Sequence, residues 1–188
     1  MNGIERESAR MACLVDDLLL LARLDEHHLR DPEPVELVGL AAEAIETART
    51  VGPAWPINLV AGEPVEVSGD PGALRQVIDN LLSNVRAHTP EGTHATIRVG
   101  REHHDAVVEV ADDGPGLTEE QAAMVFERFF RSDPSRSRDT GGAGLGLAIV
   151  ASIARAHAGR ATAAPRPGGG AVFKIVVPCL VPHRPDTD

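Results

Sequence analysis

Between residues 4 and 26 apolar side chains recur at Ile4, Met11 and Leu18, seven apart, with Leu14 and Leu21 interleaved, and neither Gly nor Pro interrupts the run. This spacing predicts one long amphipathic helix. Val15, Leu19 and Ala22 widen its stripe. An isolated helix of this length depends on burying its apolar face, so the stripe requires a partner surface. Residues 28–34 carry Pro32 and Pro34, which end the helix and read as a linker.

Farther on, helical and strand periods alternate. Residues 37–50 predict a helix stopped at Gly52-Pro53, and residues 57–60 and 65–67 predict short strands around a turn at Gly62. Asp70 followed by Pro71 is a start signal for a helix through Ala87, with Val77, Ile78, Leu81, Leu82 and Val85 as its apolar positions. Residues 95–99 and 106–110 alternate around a charged turn and predict a hairpin. Residues 144–158 predict a further helix, and residues 161–164 with 171–177 a closing strand pair across a Gly/Pro turn. No internal repeat is present, so the order describes one α/β domain behind one helix.

Length and charge narrow the function. At 188 residues the chain can bury one good core and carry an appendage. A net charge of -10 argues against nucleic acid as partner, because phosphates are neutralised by clustered Lys and Arg. Cys13 and Cys179 lack metal-ligand spacing and read as ordinary reduced thiols. The longest apolar run, residues 18–22, is too short to cross a bilayer and no secretory signal is visible, which sets the expectation of a cytoplasmic chain without a membrane segment.

Three segments then occur in an informative order: DNLLSNVRAHTP (79–90), ADDGPGL (111–117) and GGAGLGLAIV (141–150). Asn80 and Asn84 lie one helical turn apart, so their amides share a face and can hold a metal ion. A plain helix surface would be better served by stronger helix formers than two Asn, which favours a functional reading. Asp112 is a carboxylate beside a glycine turn; Asp and Gly also favour turns for backbone reasons alone, and the order relative to the Asn pair tilts the balance. The glycines at Gly142, Gly144 and Gly146 run into an apolar helix, where backbone amides receive phosphate oxygens. This run is not a Walker A loop, because no Lys-Ser or Lys-Thr follows it, and no strand leads into it as a dinucleotide fingerprint requires.

On these segments the chain resembles the ATP-binding half of a bacterial sensor histidine kinase, within the wider gyrase, Hsp90, histidine-kinase and MutL superfamily. The resemblance implies a Bergerat-type two-layer α/β sandwich, a mixed sheet with helices on one face, preceded by the long amphipathic helix. It divides the chain into residues 1–27, the second helix of a dimerisation and phosphoacceptor domain; 28–36, a linker; 37–180, the ATP-binding kinase domain; and 181–188, a tail. It implies ATP and Mg2+ as ligands, with Asn84 supplying its side-chain oxygen to the metal. Asp112 would accept from the adenine amine, with Gly114 and Gly116 shaping its turn, and Asp113 has no assigned role. Arg86 and His88 would add positive or hydrogen-bonding character, and Gly142, Gly144, Leu145 and Gly146 would receive the phosphates. FERFFR, residues 126–131, is similar to the family's F box, whose three Phe are expected to pack and anchor a lid at residues 132–140. Arg128 and Arg131, with Arg136 and Arg138 as further candidates, are suited to phosphate oxygens. Two positions depart from the family: Ala87 stands where relatives carry Lys, and Ala171 where they carry Thr or Ser.

Asn80 occupies the position of the Glu that activates water in gyrase- and Hsp90-type relatives, and an amide cannot act as that base. The resemblance therefore implies phosphoryl transfer to a histidine rather than hydrolysis, with Asn80, Arg128 and Arg131 as the catalytic set. None of the eight histidines sits in a context like the family's H box, SHELRTPL; His27, His28, His103 and His104 read as surface residues. The phosphoacceptor would come from an H-box protein or from a preceding part of the same kinase, with a response regulator downstream and the inner face of the membrane reached through a partner. Two other classes remain open, a serine kinase of the anti-sigma-factor type and a non-catalytic nucleotide-sensing module.

Overall fold

The computed structural model describes residues 2–25, 31–131 and 143–180, the side chains of residues 2–7, 9, 10 and 25 excepted. The elements in chain order are α1 (Asn2–Asp25), β1 (Glu33–Glu36), α2 (Leu37–Val51), β2 (Ile57–Ala61), β3 (Glu66–Gly69), α3 (Pro71–His88), β4 (Ala95–Glu102), β5 (Asp105–Asp112), α4 (Glu119–Met124), α5 (Gly146–Ala156), β6 (Arg160–Pro165) and β7 (Ala171–Pro178). Local chemistry accounts for several boundaries. Glu36 and Asp70 cap α2 and α3 by accepting from backbone amides two and three residues on, and Thr118 and Gln121 form a reciprocal capping box on α4.

Five strands form a mixed sheet in the order β2-β4-β5-β7-β6, in which β2 runs parallel to β4 and the other pairs are antiparallel. Alternate residues Ile97, Val99, Val110, Phe173 and Ile175 are buried in one core with Ile45 of α2, Leu81 of α3 and Ile149 and Ile153 of α5. The intervening positions of the strands carry the ion pairs Arg98–Glu109 (3.8 Å) and Lys174–Glu102 (2.7 Å). Helices pack on one face of this sheet and make the expected two-layer α/β sandwich.

Some expectations are corrected. The two short strands expected on either side of Gly62 form but do not pair with each other: β2 joins the large sheet, whereas β3 pairs with β1 in a separate two-stranded sheet. The end of the segment read as linker is thus strand β1, paired from Glu33↔Gly69 to Glu36↔Glu66, with Pro34 tolerated in a short strand of a two-stranded sheet. Short helix α4 went unforeseen, although Thr118 and Gln121 spell its capping box. The apolar stripe of α1 also divides. Leu21 and Leu24 are buried and Leu14 and Leu20 partly so where α1 meets α5, while Met11, Val15, Leu18 and Leu19 stay exposed, because the helical period puts the two sets on different faces. The Ile4 side chain and residues 26–30, with His27 and His28, lie outside the described residues. No described helix is long and apolar enough to cross a membrane.

Candidate functional site

The buried floor of the site is the end of β5. Asp112 is only 4 % exposed there, in register with Ala95 of β4. Its Oδ1 accepts the Gly114 amide at 2.9 Å, and burial pushes the carboxyl above the ordinary carboxylate range, against the opposing pull of the Gly114 and Ala171 amides. A buried carboxylate with capacity to spare is a selective acceptor for an amine donor.

The turn that follows is fixed by backbone approach. Gly116 has φ +80°, and a Cβ there would stand 2.6 Å from the Gly170 carbonyl oxygen. Gly170, in turn, would drive a Cβ into the Asp112 carbonyl. The Asp112–Gly116 turn and the hairpin after β6 therefore interlock at positions where only glycine fits. From the opposite side the Thr89 methyl lies under Gly114, where a Cβ would meet it at 2.5 Å. The Thr89 hydroxyl accepts from Trp55 Nε1 at 3.1 Å and donates to the Val85 carbonyl at 2.8 Å.

At the other end α5 starts in an unusual way. Helices α2, α3 and α4 are capped by side chains, whereas Leu145 at the N-cap of α5 is apolar and makes no cap hydrogen bond. The first-turn amides of α5 thus keep donors to offer, as an anion site requires. Asn80 donates from Nδ2 to the Gly146 carbonyl at 3.2 Å and ties α3 to this helix start. Asn84, half-buried, follows one turn later on α3. The Phe129 amide donates to the Gly144 carbonyl at 2.9 Å, joining the segment after α4 to the same place.

Burial first, and the Arg131 guanidinium second, push His88 below the ordinary histidine range. Arg86 bonds Ser83 at 3.4 Å and lines a cleft between α2 and α3 that it shares with Thr47, Val51, Asp79 and Asn80. The structure brings together Asn80, Leu145, Gly146 and Gly144 at one end and Asp112, Gly114 and Gly116 at the other. Arg128 is an exposed residue of the segment after α4. Gly142, Arg136, Arg138 and the lid at 132–140 lie outside the described residues.

The F box differs from its expectation. Phe126 and Phe130 pack partly on the core, but Phe129 is 58 % exposed with φ 64°, so only two of the three anchor the segment. Three further residues matter to which sequence reasoning gave no role. Asp113 forms an ion pair with Arg166. His157 is buried; its Nε2 accepts the Asp70 amide at 3.1 Å and its Nδ1 faces the Ile153 carbonyl at 2.8 Å, joining the end of α5 to the cap of α3. Among the described residues no group of three or more His, Cys, Asp or Glu could hold a metal ion. A magnesium ion bound mainly by phosphates and water needs only one or two protein oxygens, and an Asn84 side-chain oxygen fits that demand.

Comparison with known proteins points the same way. Residues 69–180 match the family described as histidine kinase-, DNA gyrase B-, and HSP90-like ATPase. The chain is 44 % identical over 170 residues to the probable sensor histidine kinase TcrY of Mycobacterium tuberculosis, covering 89 % of this chain and 36 % of that protein. It therefore spans little more than a third of that relative. Among solved structures, the mycobacterial sensor histidine kinase MprB superposes with a TM-score of 0.69 at 29 % identity, over 79 % of this chain and 97 % of that one. Full-length ShkA, solved in complex with AMPPNP, superposes with a TM-score of 0.81 at 28 % identity, over 94 % of this chain and 37 % of that one.

Proposed function

The chain belongs to the histidine kinase-, DNA gyrase B- and HSP90-like ATPase family as the catalytic ATP-binding domain of a sensor histidine kinase, and from that premise we propose that it binds Mg-ATP and transfers the γ-phosphoryl group to a histidine outside this sequence. The observation that carries the reading is the pairing of a buried acceptor, Asp112, with an uncapped helix start at Leu145–Gly146 beside Asn80 and Asn84. One end suits adenine and the other suits phosphates.

In this reading Asp112 accepts from the adenine amine and rejects guanine, which presents a carbonyl there. Asn84 would hold Mg2+, which neutralises phosphate charge when bound. The α5 amides, Arg128 and Arg131 stabilise the transferring group, so the chain works by positioning and electrostatics. Asn80 cannot accept a proton from water, and its bond to the Gly146 carbonyl supports a positioning role in place of hydrolysis. The domain division at residues 27, 36 and 180 is part of the proposal, with α1 as the helix that meets the phosphoacceptor. The acceptor would lie on another chain or on a segment beyond this sequence, and a response regulator would take the phosphoryl group onward.

Incubation with radiolabelled ATP, alone and with a protein carrying an H box, tests this. Acid-labile label is expected on the H-box protein only. Acid-labile label on the isolated chain would overturn the external acceptor, and acid-stable phosphoserine on a partner would identify a serine kinase.

A further inference from the structure

We propose that Arg166, on the loop between β6 and β7, is a positioning residue for the adenine-binding carboxylate, gripping Asp113 and the Asp112 carbonyl at once so that the Asp112–Gly116 turn stays seated on the glycine hairpin. The inference rests on the reading of Asp112 as the adenine acceptor. Arg166 Nη1 bonds Asp113 Oδ1 and reaches the Asp112 carbonyl oxygen at 3.4 Å. The residue is itself held by its hairpin: its amide donates to the Gly170 carbonyl at 3.0 Å, and its carbonyl accepts the Gly169 amide at 3.1 Å. The guanidinium therefore projects from a closed turn onto the two residues that open the adenine loop. Gly170 and Gly116 bring the two loops into backbone contact, but glycines supply no side chain to hold them there. Arg166 spans the junction with its side chain, alongside the Asp112 carboxylate, which takes the Ala171 amide.

The pair has side-chain exposures of 43 % and 56 %, which separates its two consequences. A half-exposed ion pair contributes little to global folding, so its removal leaves the domain folded. The same bond fixes the torsions next to Asp112, whose carboxylate must face the base within a narrow range, so its removal shows in ligand affinity.

Calorimetric titration of adenosine (by competition), ADP and Mg-ATP into the parent, Arg166→Gln, Asp113→Asn, the double variant and Arg166→Lys tests this. Arg166→Gln is expected to weaken all three ligands by the same factor, about two- to fivefold. Asp113→Asn should match it, the double variant should lose no more than either single, and Arg166→Lys should recover most of the loss. Unchanged affinity in Arg166→Gln overturns the proposal. So does a loss confined to ADP and Mg-ATP, which would make Arg166 a phosphate ligand. Asp112→Asn runs alongside: if it binds as the parent does, the Asp112 reading itself fails, and if it alone loses binding, only the role of Arg166 fails.

Discussion

The two ends of the site are built by opposite means. The adenine end is a strand terminus whose geometry is set by backbone contact: Asp112 is buried, and Gly116 and Gly170 meet where no Cβ fits. The phosphate end is set by helix starts and side chains: an uncapped α5, two half-buried Asn and arginines on the segment after α4. Rigid recognition of a base is thus separated from adaptable handling of phosphates. Changes at the first end should act on every adenine ligand, and changes at the second only on ligands that carry phosphates and Mg2+.

The largest effect is expected at the interlock. Gly170→Ala forces a Cβ into the Asp112 carbonyl and should cost about 3 kcal/mol of stability, read as a lowered urea midpoint. If it folds and binds like the parent, the adenine end is not set by backbone contact. Next is Asp112→Asn, which turns an amide toward the adenine amine and should weaken ATP and ADP alike by about 30- to 100-fold. Because burial raises the Asp112 pKa in the folded chain, its proton is held more tightly there than in the unfolded chain, and stability falls as pH rises through the raised value. Asp112→Asn removes that slope, so its melting temperature near neutral pH should equal or exceed the parent's.

Asn84→Ala sharpens the contrast from the other side. It should lower Mg-ATP affinity about tenfold while leaving adenosine binding unchanged. An equal loss for adenosine would move Asn84 to the adenine end. The smallest effect is in pH. ATP binding favours ionised Asp112, so affinity should fall as pH drops through its raised pKa, by at most about tenfold per pH unit, and Asp112→Asn should be flat over the same range.

The two ends also differ in how far sequence reveals them. The Asn pair, Asp112 and the glycine runs are local patterns, and their fold followed from period and caps: Asp70-Pro71 marks the start of α3, and the β6–β7 pair closes across its Gly/Pro turn. Helix α4 is spelled locally by its Thr118–Gln121 capping box, whereas other features depend on partners distant in the chain. Strand β1 exists only because β3 accepts it, and Glu66 is far from Glu36 in sequence. Arg166 and Asp113 are separated by 53 residues, and His157 and Asp70 by 87, with no shared local pattern to announce either pair. Arg86, beside the Asn motif in sequence, shares with Asn80 a cleft that α2 also lines.

The most direct test is calorimetric titration of Mg-ATP into the full chain and into Asp112→Asn. Saturable one-site binding by the parent, lost in the variant without loss of melting temperature, is the predicted result. No binding by the parent, or equal binding by both, would contradict the account.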